Sequence, residues 1–178
     1  LALRDRGMGF CIFANVAVGA HYARQRKGID RVLIVDWDVH HGNGTQALVE
    51  HDPLIHFVSL HQAPWYPGTG AASDRGPHRS VWNVPMPGGL APDVYVKALQ
   101  AAVTDATRDF TPDLVMISAG FDCLAGDPLG EFTLEIEHIM QFSQWLVAMA
   151  NRWCEGRVVA ALEGGYVADG VGAASVAT

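Results

Sequence analysis

Four short apolar runs set the limits on this chain: RVLIVD (31–36), LIHFVSLH (54–61), DLVMIS (113–118) and RVVAAL (157–162). Runs of this kind, rich in β-branched residues and without polar alternation, are strands buried on both faces, as in a parallel sheet. Parallel neighbours need crossover connections of a dozen or more residues, usually helices. The spacing of apolar positions predicts helices over 10–27, from about Thr45, over 93–110, from a cap at Thr133 to about Cys154, and again from 168. Gly28 and Gly156 stand where such helices end. The Gly- and Pro-rich stretch 62–92 reads as surface loop around a short strand near Val81–Val84. The expected fold is α/β, a parallel central sheet with helices on both faces. No repeat, low-complexity tract or linker interrupts it, so 1–178 reads as a single domain. It is expected to be partial, because the chain opens shortly before one helix and stops inside another.

Composition narrows the function classes. Hydrophobic residues make up 49% and charged residues 17%, which suits a soluble globular protein and argues against disorder. No apolar run approaches the roughly 18 residues that span a bilayer. A net charge of −7 disfavours direct nucleic-acid binding but leaves room for a basic peptide or amine. The three cysteines are scattered without a CxxC pair, which suits a reducing compartment, here taken as the cytoplasm. Oligomeric state is left open.

The chemistry gathers where strands end. After RVLIVD comes DWDVHHGNG (36–44). Gly42-Asn43-Gly44-Thr45-Gln46-Ala47 fits G-x-G-x-x-A, but DWDVHH intervenes between strand and glycines, and its anions would repel a pyrophosphate. In an extended segment Asp36, Asp38 and His40 share one face, with Trp37 and Val39 on the other. His41 is expected on that second face, without a ligand role. Two carboxylates and an imidazole packed together call for a cation; the alternative is a solvated polar turn. DLVMISAG then leads to Asp122, at the strand end that would reach the same rim. An Asp-His-Asp set leaves a fourth position open on a tetrahedral metal, as catalytic sites do. Alone, Asp122 would read as a loop acid.

A third strand end carries LEGGY (162–166), where two glycines let the backbone approach a site and Tyr166 offers a phenol to a developing oxyanion, unless it is turn packing. Trp65-Tyr66-Pro67 would wall a pocket or pack a loop. His61 follows a strand without other distinction, and His21, His51, His56, His78 and His138 read as structural. Cys11 and Cys123 lack a paired base, and no G-x-S-x-G elbow is present.

Assembled in order, GFCIFANVA (9–17), VDWDVHHGNGTQ (35–46), SLH (59–61), YPGTG (66–70), SAGFDCLAGDPLG (118–130) and LEGGY resemble the zinc-dependent histone deacetylase superfamily, nearest its class II and bacterial deacetylase-like branch. The resemblance covers essentially the whole chain. It implies an amidohydrolase removing acetyl groups from acetyl-lysine peptides or related acetylated amines. It assigns Asp38, His40 and Asp122 to zinc and Tyr166 to polarising the acetyl carbonyl. It assigns Phe10 and Tyr66 to an acyl-lysine channel, with Gly9 and Leu129 near its wall. Asp36, Asp38, His40, Ser59 and Leu60 match a monovalent-cation site, usually potassium. Asn43 stands where class I members tend to carry Asp, which favours class II. The family's tandem histidines, its general base, would fall at Leu1 and one residue before it. The chain alone is therefore expected to be inactive, and, with a sheet edge and apolar surface left uncovered, poorly stable. Other readings are a catalytically silent acyl-lysine-binding domain, supported by Leu1, and an arginase-like binuclear manganese enzyme.

Overall fold

The computed structural model describes residues 1–178. Its five strands run Val32–Asp36 (β1), Ile55–Gln62 (β2), Val81–Met86 (β3), Leu114–Ala119 (β4) and Val158–Leu162 (β5). All pair in parallel, in the order β3-β2-β1-β4-β5. The three central strands are β2, β1 and β4, and β1 and β4 are buried at every position. The edge strand β3 contains Pro85, which an edge tolerates because its outer amides need no ladder partner.

Helices cover both faces. The first two, α1 (Asn15–Lys27) and α2 (Asn43–Val49), pack on the face carrying Val32, Ile34, Ile55 and Phe57. On the other, α3 (Pro92–Ala106) and α4 (Ile136–Cys154) enclose Leu33, Val35, Val58, Leu60, Val115 and Ile117, and α5 (Ala168–Ala177) packs on α4. Alternate β1 residues thus enter two separate cores, the period-2 consequence of a strand buried on both sides. Edge strand β5 is less covered: Val159 and Leu162 are 49% and 60% exposed.

Several boundaries differ from those predicted. The first helix begins at Asn15, not at 10. Phe10 has φ 63° and is 86% exposed, so the GFC segment is a turn held by a Met8–Cys11 bridge. The second helix begins two residues earlier than Thr45, and α3 ends at Ala106, where Thr107 turns its hydroxyl back to the Val103 carbonyl. Thr133 caps nothing; its hydroxyl bonds to the Leu90 carbonyl. Instead Glu135 accepts the His138 amide while the His138 ring accepts the Glu135 amide. Two residues decided that start.

Trp37 and Phe142 lie fully buried with ring centroids 4.8 Å apart, so α4 supports the turn that leaves β1. Phe142→Ala should cost about 3–5 kcal/mol of stability in urea unfolding; a loss below about 1 kcal/mol would show that this contact carries little.

Candidate metal centre

The chain runs β1 to β2 to β3 in one direction, then returns to the other side of β1 for β4 and β5. Loops leaving β1 and β4 diverge there, and ligands in open α/β sheets bind at such switch points. The loop after β1 carries Asp38 and His40; the loop after β4 carries Asp122.

The three side chains meet. One ligand atom from each lies within 4.8 Å of the others. His40 Nδ1 is 3.0 Å from Asp38 Oδ1 and 3.1 Å from Asp122 Oδ2. The remaining carboxylate oxygens are held by backbone amides: Val39 N–H donates to Asp122 Oδ1 at 2.8 Å, and Gly164 N–H to Asp38 Oδ2 at 2.9 Å. His40 N–H also donates to Asp38 Oδ1 at 2.9 Å. Each carboxylate is therefore aimed by the main chain. The convergence does not come from an extended segment. The strand ends at Asp36, and residues 38–40 form a bend that directs Asp38 and His40 inward while Trp37 and Val39 enter the α3–α4 core.

Asp122 is wholly buried, and burial first, then the Asp38 charge, pushes its carboxyl up to about 6. Burial lowers His40, but hydrogen bonds to Asp122 and Asp38 and their charges outweigh it and raise the ring to about 9. One Nδ1–H cannot donate fully to two carboxylates, and a neutral Nδ1 lone pair would face both anions. A metal ion resolves this, because all three atoms then donate to one cation. The residues present fit a metal.

Asp36 is also buried, its carboxyl raised by burial and then by Asp38. Its Oδ1 accepts the Asp38 amide at 3.1 Å. The β1–β2 register sets Asp36 beside Ser59. Leu60 points into the α3–α4 core, so it offers this region only its main chain. Asn43 opens α2 and donates to Met8 Sδ at 3.2 Å, while its Oδ1 is buried without a partner.

A cavity of about 940 Å³ opens over Asp38 and His40, while Asp122 stays buried beside them. Gly9, Phe10, Tyr66, Leu129 and Tyr166 line it with Asp38 and His40. The Phe10 and Tyr166 rings meet edge to face at 6.0 Å, and Tyr66 approaches His40 at 6.2 Å. Burial first, then the Asp122 and Asp38 charges, pushes the Tyr166 phenol up to about 12, so it remains a proton donor.

His41 does not join Trp37 and Val39. It lies in a polar pocket against His61, with ring centroids 4.8 Å apart. The Gln46 carbonyl oxygen, 2.9 Å from His41 Nε2, requires N–H there, so Nδ1 accepts from Thr69 at 2.8 Å. His61 likewise donates from Nε2 to the Gly70 carbonyl at 2.9 Å and accepts from Ser59 at 3.0 Å. Burial lowers both rings, His61 to about 4, so both are neutral near pH 7. These contacts fix the loop bearing Tyr66. The spacing rule failed here because it assumed a strand where the chain bends.

Sequence reasoning also passed over Glu163 and Asp127. Glu163 lines the cavity, its carboxyl raised chiefly by burial. Asp127 accepts the Leu129 and Tyr166 amides. Glu163 sits inside LEGGY and Asp127 inside GDPLG, both of them strand-end segments already singled out.

Metal binding must displace the His40 proton, so affinity for zinc, measured by chelator competition, should rise about tenfold per pH unit between about 6 and 9. Below about 6 the slope should steepen as Asp122 takes a second proton. A flat profile would mean that His40 is not a ligand. A Cβ on Gly164 would run into Asp122 Oδ2 and Asp38 Oδ2. Gly164→Ala should therefore weaken metal binding by about tenfold or more, the loss typical of damaged ligand support.

A family model described as histone deacetylase domain matches residues 2–178. Over 165 residues the chain is 48% identical to an uncharacterized protein of Synechocystis, spanning 93% of this chain and 53% of that protein. It is 40% identical over 168 residues to a histone deacetylase-like amidohydrolase of Pseudomonas aeruginosa, spanning 92% of this chain and 44% of the relative. The crystal structure of the HDA15 HD domain superposes with a TM-score of 0.89 at 40% identity, covering 99% of this chain and 52% of that one. The chain thus spans about half the length of the relatives it matches. No helix is long and apolar enough to cross a membrane. A match from the second residue to the last, on this fold, means that the chain belongs to the histone deacetylase family.

Proposed function

We propose that the chain carries the metal-holding part of a zinc-dependent amidohydrolase, acting in the cytoplasm on acetylated lysine peptides or related acetylated amines. The observation that carries this reading is the meeting of Asp38, His40 and Asp122 beneath a cavity that Tyr166 also lines. These three residues would hold zinc, which when bound supplies Lewis-acid chemistry to an amide carbonyl and to water. Two carboxylates and one imidazole are a donor set that a single zinc accepts with a position to spare. This favours zinc over a binuclear manganese centre.

Tyr166 keeps its proton and donates it as a hydrogen bond to the oxygen on which charge develops, a contribution of roughly 3–4 kcal/mol in comparable sites. Phe10 and Tyr66 flank the acyl-lysine stem, whose methylenes gain from apolar walls, with Gly9 and Leu129 completing them. Asp36 and Ser59, adjacent across β1 and β2, with the Leu60 main chain, would hold potassium and steady the β1 turn. Ser59 spends its hydroxyl proton on His61, so its oxygen lone pairs remain for a cation. Asn43, whose side chain reaches Met8, supports the class II assignment.

Leu1 favours a second reading, in which metal and substrate bind but turnover is very slow. It lines the cavity with Asp36 and Asp38, and an aliphatic side chain accepts no proton. Within this reading residues 1–178 act as a single partial deacetylase domain.

The chain should bind one zinc by elemental analysis and lose it in Asp122→Asn. Leu1→His should raise turnover of a fluorogenic acetyl-lysine substrate by about 10²-fold or more, the usual contribution of a positioned base. In that background Tyr166→Phe should lower it by about 10²–10³-fold with zinc retained. Two zinc or manganese ions per chain would overturn the single-zinc reading. Zinc binding with no response to Leu1→His would favour the silent domain.

A further inference from the structure

Asp127 is 7% exposed, takes part in none of the ion pairs, and bonds the backbone of the residue that carries the proposed catalytic phenol. Burying a carboxylate without a countercharge is costly unless its oxygens are well bonded. Its two oxygens divide their work. Oδ2 accepts the Tyr166 amide at 2.8 Å, and Oδ1 accepts the Leu129 amide at 2.9 Å. Tyr166 follows β5 through two glycines, which by themselves leave the backbone free to swing. Leu129 belongs to the loop after β4, and its carbonyl accepts the Trp65 indole N–H at 2.9 Å. Trp65 precedes Tyr66 in the loop after β2.

We infer that Asp127 is the positioning residue of the cavity, one carboxylate that clamps the Tyr166 backbone to the Leu129 wall and, through Leu129, to the loop bearing Tyr66. The clamp joins the segments leaving β5, β4 and β2, so the phenol, the channel wall and the opposite aromatic keep one spacing. A carboxylate suits the task because it accepts on both sides, whereas an asparagine must turn an NH₂ toward one of the two amides. This role rests on Tyr166 acting on the acyl group as proposed above. The clamp itself does not.

The test separates the two. In the metal-free chain, amide hydrogen exchange should quicken at least about tenfold at Tyr166 or Leu129 in Asp127→Asn, and at both in Asp127→Ala. The Val39 amide, held by Asp122, should not change. In the zinc-loaded chain, a hydroxamate analogue of acetyl-lysine should bind about fivefold or more weakly to Asp127→Ala, with zinc affinity within twofold of the parent. In a Tyr166→Phe background the same substitution should cost less hydroxamate affinity than in the parent, because the phenol is one of the groups that Asp127 holds in place. An equal loss in both backgrounds, or a matching loss of zinc affinity, would show a general structural role. If the parent binds no hydroxamate, the deacetylase reading fails, and exchange alone decides the clamp: unchanged rates at Tyr166 and Leu129 would overturn it.

Discussion

The packing of Asp38 against Asp122, with His40 between them, is the interaction on which the rest of the structure turns. The two carboxylates repel each other, burial and the Asp38 charge make Asp122 resist ionisation, and one imidazole cannot balance both. The fold tolerates them because backbone amides at Val39 and Gly164 take one oxygen from each. The other oxygens are left facing His40 Nδ1. Lone pairs are thus left aimed at one point, where they could hold a metal ion, and the surrounding chain is arranged to keep them aimed.

That arrangement follows from topology. The strand order reverses at β1 and β4, so the loops after these two strands separate and leave a crevice at their ends. Strand β5, next to β4, brings Glu163, Gly164 and Tyr166 to the same crevice. Gly164 matters for what it lacks, since a side chain would occupy the space of the two carboxylates. Asp122 is far from Asp38 in sequence but becomes its neighbour once β1 and β4 pair from Val32–Leu114 to Asp36–Ser118.

Much of this was legible in the sequence, for a physical reason. β-Branched runs mark strands, and acids at strand ends mark a rim, so Asp38, His40, Asp122 and Tyr166 could be brought together before any coordinates. Features that depend on local geometry were not legible. The inward bend at 38–40 replaces the extended segment that the i, i+2 rule assumes, and so His41 was placed on the wrong side. The GFC segment has apolar residues at helical spacing yet turns at Phe10, where a positive φ ends the regular backbone. The α4 cap at Glu135 depends on a reciprocal bond with His138 that no single-residue preference predicts. Asp127 was overlooked because a lone acid in a Gly-Pro loop looks solvated until its two amide donors are seen.

Charge is also sorted along the strands. Arg31 pairs with Asp113 just before β1 and β4, and Arg157 bonds the Asp113 carbonyl before β5, all at the ends opposite the crevice. No lysine or arginine lines the cavity, although Asp36, Asp38 and Glu163 do. A basic side chain there would neutralise the carboxylates and compete with a metal for their oxygens. The loops around the crevice are therefore fastened without cations: by the Asp127 carboxylate, the His41–Thr69 and His61–Gly70 bonds, and the Trp65 indole on Leu129. Rigid walls made without cations leave the negative charge of the site free to meet a bound ion.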